Sequence, residues 1–405
     1  MVTPIVNAQL DALNEIMKNV GTQLEIIAAK DRASVLTDAA TLASLCSKGE
    51  ILKFMNYGDQ ACFPWSDGET EYSPAFNLCH EGDAELEDGE TIHGAFWEWD
   101  KTIPFGMTFD ASEAIYAFDG TEGTGAKYIE IAKSYGTGWV AGDGIQITLE
   151  TAPDAGDQLV ISGLVGSSDA NPTAGKTWNV YAKGDTTVKQ TGTTASGKSG
   201  DKIGETSSED VGKTNGKVCA PQRVCYGYGR WKESAMRQFL NSDAAAGSWW
   251  KAQNPFDRPP AEAATKNGLL YGYAEDVKRF FKPVKVVTVT CNADGNTDDI
   301  TYDRVFLSSL EQMYCVPQFA GKEGEYWEYY KRLLGRPTPA PTSATYPRLI
   351  KYALNSPTSA QNCFRRSASR NYTSSVWTVH SSGYVNAYAA RYASRCAPGV
   401  FLSDD

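Results

Sequence analysis

Arg366–Val400 reads RSASRNYTSSVWTVHSSGYVNAYAARYASRCAPGV, and its composition governs how the rest of the chain is read. From Ser367 to Ala397 it contains no Leu, Ile or Phe and is crowded with Tyr, Ser, Ala and Arg. Core-forming sequence is rich in those three apolar types. Tyr and Trp instead supply large, stiff contact area at low entropy cost, while Ser and Asn adapt their hydrogen bonds. This is the composition of a contact surface, with Tyr372, His380, Tyr384, Tyr388, Arg391 and Tyr392 as its large polar members. Successive strand side chains point to opposite faces. Trp377 and Val379 share one parity, Thr378 and His380 the other; after Ser381-Ser382-Gly383, Tyr384, Asn386 and Tyr388 alternate with Val385 and Ala387. The pattern predicts a hairpin with one supported and one displayed face. An edge hairpin without any ligand would share that composition.

The same stretch resembles the variable region of diversity-generating retroelement target proteins. In that family, Asn codons of a template copy are randomised within a fixed frame at the end of a C-type-lectin-like domain. By that frame Val376, Trp377, Val379, Gly383, Val385, Ala390, Ala393, Arg395, Cys396 and Pro398 are scaffold. The resemblance makes Asn371, Tyr372, Ser374, Ser375, Thr378, His380, Tyr384, Asn386, Ala387, Tyr388, Ala389, Arg391, Tyr392 and Ser394 the diversified, ligand-binding positions. Upstream, RVCYGYGRWKESAMRQFLNSDAAAGSWWKAQNPFDRPP, FKPVKVVTVTC, DRVFLSSLEQMYC and YPRLIKYALN follow in the order of the shared body of phage and bacterial lectin-like proteins of this kind. The resemblance runs from Arg223 to the C-terminus. It implies a non-enzymatic protein that recognises a bacterial cell-surface protein or other surface receptor, in a phage tail or on a bacterial surface as an adhesin. Assembly as a homotrimer, with the N-terminus on other virion tail proteins, goes with the phage setting.

With 405 residues, the chain is long enough for two or three domains. Apolar content of 41% and 11% aromatics are those of a globular protein, and 37 glycines with few long apolar runs favour β-structure. A net charge of −11 argues against nucleic acid, whose affinity comes from clustered Lys and Arg. Arg365, Arg366, Arg370, Arg391 and Arg395 make the C-terminal stretch only locally basic. The nine cysteines are odd in number and lack CxxC spacing, so buried free thiols are expected rather than zinc or a disulfide framework. MVTPIVNAQL lacks the basic and apolar regions of a signal peptide, and no stretch is long enough for membrane insertion.

The expected class is α+β and β-rich, in three parts. Residues 1–50 form a helical oligomerisation or attachment segment: Val6, Leu10, Leu13, Met17, Val20, Leu24 and Ile27 follow four- and three-residue steps. That spacing fits a coiled-coil seam or an amphipathic helix on its own domain. A second helix is expected over Ser34 to Cys46, stopped by Gly49. Residues 51–217 form a middle antiparallel β-domain. Its strands are expected over Lys127 to Ala132, Ile145 to Glu150, Gln158 to Gly163 and Lys176 to Ala182, bounded by Gly, Asp or Asn as in a sandwich. It ends in a polar arm, 183–217, either a β-arm pinned by Val188, Ile203 and Val211 or a flexible connection. Residues 218–405 form the C-terminal domain, with a helix from Lys232 to Asn241.

Catalytic and metal motifs are missing from the sequence. His80, His93 and His380 are too few and scattered for a His-centred metal site or triad, and no GxSxG, Walker loop or GxGxxG follows a strand. Asn292-Ala293-Asp294-Gly295-Asn296 with Asp298 and Asp299 lacks the terminal Glu of a calcium loop and is read as a hairpin turn. Formylglycine-generating oxidases share the implied architecture and use a reactive cysteine pair. Cys363 and Cys396 are the residues to check for that alternative, and buried core thiols are the favoured reading. The loop and strand of calcium-dependent sugar lectins are not found. No catalytic residue, metal ligand or cofactor is assigned.

Overall fold

The computed structural model describes Met17 and residues 38–130, 144–162, 174–196, 199–204, 217–317 and 323–405. The N-terminal seam lies outside the described residues apart from Met17, which is helical and exposed. The expected second helix is present as Ala39–Ser47, its N-terminus capped where the Asp38 carboxylate accepts the Thr41 N–H at 3.1 Å. Ala39, Leu42, Ala43 and Cys46 form its buried stripe at helical spacing. Burying Leu42 alone contributes about 1.5–3 kcal/mol.

Two five-stranded sheets build the body. Their strands are β1 (Gln60–Cys62), β2 (Ala75–Glu85), β3 (Thr91–Trp99), β4 (Met107–Thr108), β5 (Val305–Phe306), β6 (Cys363–Ala368), β7 (Ser375–Val379), β8 (Val385–Ala389), β9 (Ala393–Cys396) and β10 (Gly399–Leu402). One sheet runs β1-β2-β3-β10-β5 and the other β8-β7-β6-β9-β4. Each therefore mixes strands from before residue 110 with strands from after residue 300. The expected boundary at 217/218 does not follow the strand pairing: β10 pairs with β3, from Gly399↔Glu98 to Leu402↔Ala95, and β9 with β4. A single large core joins them, with Trp65, Trp97, Trp99, Phe76, Phe109, Trp231, Phe364, Trp377 and Phe401 among its members. Around its centre Trp99 meets Trp65 and Phe76 edge-on, at 5.4 and 6.0 Å between ring centroids.

Between the two halves of the body, the chain forms a second unit with its own core. One sheet orders Val188–Thr193, Thr177–Tyr181, Gln158–Ile161 and Tyr116–Ala117; the other orders Ala195–Ser196, Gly144–Leu149, Gly125–Glu130 and Asp201–Lys202. Leu159, Trp178 and Val180 from the first face Ile129, Ile145 and Ile147 from the second in one cluster, the arrangement of a sandwich. The strands fall within a few residues of the expected segments. Of the three expected pins in the polar arm, Ile203 is buried in this core, Val188 is 48% exposed and Val211 lies outside the described residues.

The expected helix over Lys232 to Asn241 is broken. A turn of 3₁₀ helix, Trp231–Glu233, precedes Ser234, whose hydroxyl accepts the Arg237 N–H at 3.1 Å and starts the helix Ala235–Leu240. Val284–Val289 and Asp298–Asp303 pair as a hairpin closed through Asn292–Asp294, so that stretch is a turn. Among the described residues, no helix is long and apolar enough to cross a membrane.

Candidate ligand-binding surface

The hairpin of β7 and β8 turns at His380–Tyr384. The His380 N–H donates to the Tyr384 carbonyl at 2.9 Å and the Gly383 N–H to the His380 carbonyl at 2.7 Å. Gly383 has φ +87°, and a Cβ there would sit 2.8 Å from the Tyr346 carbonyl oxygen, so conformation and space both require glycine. The register pairs Trp377 with Ala387 and Val379 with Val385 on one face, and Val376 with Tyr388 and Thr378 with Asn386 on the other.

Burial does not follow the expected two-faced pattern. β7 lies between β8 and β6, and Val376, Trp377, Thr378 and Val379 are all buried. The display instead comes from the edge strand β8, where Asn386 and Tyr388 are exposed, and from the loops at its ends. Three proposed display positions are accordingly interior: Ser374 (2% exposed), Thr378 (4%) and Ser394 (6%). Ser394 donates its hydroxyl to the Asn362 carbonyl at 2.9 Å from β9, itself held between β6 and β4. Asn371, Tyr372, Asn386, Tyr388 and Tyr392 are exposed, and Ser375, His380, Tyr384, Ala387, Ala389 and Arg391 are half-buried. Of the expected scaffold, Val376, Trp377, Val379, Val385, Ala390, Cys396 and Pro398 are buried, whereas Ala393 is exposed.

Two aromatic clusters flank the strand. His380 stacks on Tyr384, centroids 4.1 Å apart at 14°, and the Ser382 N–H donates to His380 Nδ1 at 3.1 Å. At the other end Tyr388 and Tyr392 lie 5.4 Å apart. The Arg391 guanidinium sits 4.9 Å from the Tyr392 ring and 5.2 Å from the Tyr226 ring. Tyr226 also accepts the Arg391 N–H on its carbonyl at 2.9 Å. Its neighbour Gly227, at φ +79°, approaches so closely that a Cβ would lie 2.4 Å from the Asp110 carbonyl oxygen.

Tyr226 and a strap, Pro341–Ser343, are members of this surface that the sequence reading did not assign. The close Gly227 and Gly229 of CYGYGR were the available signal for the first; nothing local marks the second. The strap crosses the edge of β8 through a Thr342 N–H to Val385 carbonyl bond of 3.0 Å. With Tyr384 and Asn386 it lines an open cavity of about 530 Å³.

Two other groupings carry chemistry. None of the nine cysteines, all of them among the described residues, is in a disulfide. Cys363 and Cys396 are buried on β6 and β9, and burial pushes both thiols up, Cys396 well above its ordinary range. Neither is in the thiolate form a nucleophile needs. Asp110, Glu113 and Asp257 are buried with ligand atoms within 4.8 Å of one another, the one grouping among the described residues with a metal-holding arrangement. Burial and Glu113 push Asp257 up to about 7, and burial with Asp257 and Glu113 pushes Asp110 well above the usual range. Glu113 is ion-paired with Arg223 and accepts the Cys219 thiol at 2.7 Å.

One family match covers a little under half the chain: the domain of unknown function DUF6273, over residues 218–399. No curated protein and no solved structure matches.

Proposed function

We propose that this is a non-enzymatic receptor-binding protein of the diversity-generating retroelement type, with the lectin-like C-terminal half displaying a variable surface. Its setting is a phage tail, and its target a bacterial cell-surface protein or other surface receptor. The observation that carries this reading is the cluster of Tyr388 and Tyr392, 38% and 42% exposed and 5.4 Å apart, with Arg391 beside the Tyr392 ring at one sheet edge, together with Tyr372, 54% exposed, in the loop before β7. Large exposed Tyr side chains around an Arg are the composition of binding hot spots. The burial of Ser374, Thr378 and Ser394 trims the proposed display set to eleven positions without removing a large side chain.

Tyr388→Ala is expected to weaken adsorption to susceptible bacteria by about 2 kcal/mol or more, roughly thirtyfold. EDTA should leave wild-type adsorption unchanged, and substitutions at Thr193 or Ala195 in the polar arm should have no effect. Adsorption assays with purified protein check this. Chelator-sensitive binding that ignores Tyr388→Ala would overturn the reading in favour of a calcium-dependent sugar lectin.

For the N-terminal seam, the proposal is a parallel homotrimer, so that several weak sites act together and gain about 10²–10⁴ in apparent affinity. Light scattering should give a trimer for the full-length chain and a monomer after removal of residues 1–30. A full-length monomer at micromolar concentration contradicts the trimer.

A further inference from the structure

β8 ends its sheet, and its outer edge carries an incomplete ladder of backbone groups. The His380 N–H to Tyr384 carbonyl bond and the Ala390 N–H to Ser374 carbonyl bond, 2.9 and 2.8 Å, fix which residues turn inward to β7: the even-numbered ones. Val385, Ala387 and Ala389 therefore turn their peptide groups outward. The Val385 carbonyl is taken by Thr342 of the strap, the sole bridge the strap makes to β8 among the described residues. Asn386 Oδ1 accepts the Ala387 N–H at 2.8 Å, and the Ala389 carbonyl accepts the Tyr392 N–H at 3.2 Å. Beyond the strap's antiparallel bridge at Val385, that leaves the Ala387 carbonyl and the Ala389 N–H without a partner among the described residues.

This pair is not arbitrary. A carbonyl at one residue and an N–H two residues on, both on the same edge, are the two groups that a single residue of a parallel strand satisfies. Its N–H meets the Ala387 carbonyl and its own carbonyl meets the Ala389 N–H. An antiparallel neighbour would need the N–H and carbonyl of one residue, and at Ala387 and at Ala389 one of the two is already occupied. Unpaired strand edges are templates for another chain.

Charge identifies the kind of chain. Neither Ser367–Val400 nor Thr338–Leu349 contains an Asp or Glu, in a protein of net charge −11. Arg391 forms no ion pair among the described residues; its guanidinium makes one hydrogen bond, to the Tyr392 hydroxyl at 3.2 Å, and is held beside the Tyr226 and Tyr392 rings. A guanidinium so oriented is a preformed carboxylate receptor.

We propose that an extended, acidic segment of the partner protein adds to the outer edge of β8. It runs parallel to β8, with one residue opposite Tyr388 bonded to Ala387 and Ala389 and a carboxylate side chain on Arg391. The proposal rests on reading this surface as the binding site and names what it binds: main chain in strand form with acidic side chains, the diversified residues selecting among such segments.

The probe is an acetylated, amidated decapeptide of alternating Thr and Glu, added to full-length protein labelled with ¹⁵N at alanine. The Ala389 amide should exchange with solvent at least about tenfold more slowly with peptide bound. The Thr-Lys counterpart, and a Thr-Glu peptide N-methylated at every residue, should not bind. Ala389→Pro removes the outward donor at an edge position where proline is tolerated, and should weaken Thr-Glu binding about tenfold or more with the unfolding temperature unchanged. No binding at millimolar Thr-Glu peptide, equal binding of the Thr-Lys or N-methylated peptide, or binding without protection of Ala389 overturns the proposal. If Ala389→Pro is unstable, the N-methylated peptide on the wild type decides alone. In cell adsorption, sensitivity to Tyr388→Ala but not to a folded Ala389→Pro keeps the receptor-binding reading and removes the strand-addition one. Insensitivity to both removes both.

Discussion

Glu98→Gln is expected to destabilise the protein by about 3–5 kcal/mol at neutral pH, because it leaves buried cations without their counter-charge. Glu98 lies on β3 and is wholly buried. Lys351 Nζ stands 3.0 Å from its carboxylate and Arg365 Nη1 2.9 Å; the Ser308 hydroxyl donates at 2.6 Å and Tyr330 donates as well. Two cations already share one carboxylate, and Arg365 Nε and Nη2 have no hydrogen-bond partner among the described residues. An amide in that place cannot neutralise either cation. Burial alone would raise the Glu98 carboxyl, but Lys351, Arg365 and the two hydroxyls outweigh it and hold it at about 2, below its ordinary 4.5. A depressed folded value means the stabilisation is fully present above the unfolded value and is lost as pH falls through the folded one. The gap between wild type and Glu98→Gln in urea unfolding should therefore be widest at pH 7 and close between about pH 4.5 and 2. Equal stability of the two proteins at pH 7 would contradict the assignment.

That network also marks where sequence reading stops. Arg365 and Arg366 read as part of a locally basic stretch, yet both are interior, 0% and 2% exposed. Arg366 is held by the Leu307 and Glu323 carbonyls and the Gln312 side chain. Their acceptors lie 43 to 59 residues away in sequence, and Glu98 lies 267 away from Arg365. No local pattern encodes such a partner. Turn-bounded strands such as Gln158–Ile161 and Thr177–Tyr181 were legible because alternation and Gly, Asp or Asn punctuation are local signals. The helix at Ala39–Ser47, expected from Ser34 to Cys46, was legible from its stop at Gly49. The partnership of β1–β4 with β5–β10 was not, since it joins strands across the whole inserted sandwich. At the surface, composition singled out Tyr372, Tyr388 and Tyr392 correctly as exposed. Parity placed Thr378 outside, but alternation cannot see that both faces of β7 are covered, with Val376 and Thr378 buried as fully as Trp377 and Val379.

Trp377→Ala is expected to cost about 3–5 kcal/mol, while Tyr384, Tyr388 and Arg391 changed together to Ser should cost much less, about 0.5 kcal/mol each. Trp377 is 6% exposed and belongs to the body's single large core, opposite Ala387 on β8. Alanine there opens a cavity under the strand that carries the display, on a neighbour too small to fill it. The three display side chains lose little: Tyr388 is 38% exposed, and Arg391 has no ion pair to break among the described residues. Tyr384 gives up its stack on His380, which makes it the largest of the three small terms. The paired measurement is chemical unfolding of both variants beside adsorption. The triple variant should stay folded and fail to adsorb, whereas the Trp377 variant should lose both together as it unfolds. A triple variant that unfolds while Trp377→Ala stays stable would mean that Tyr384, Tyr388 and Arg391 hold the fold and Trp377 does not. A surface able to accept many side chains at these positions requires the opposite, with the energy of folding beneath β8 and the energy of binding on it.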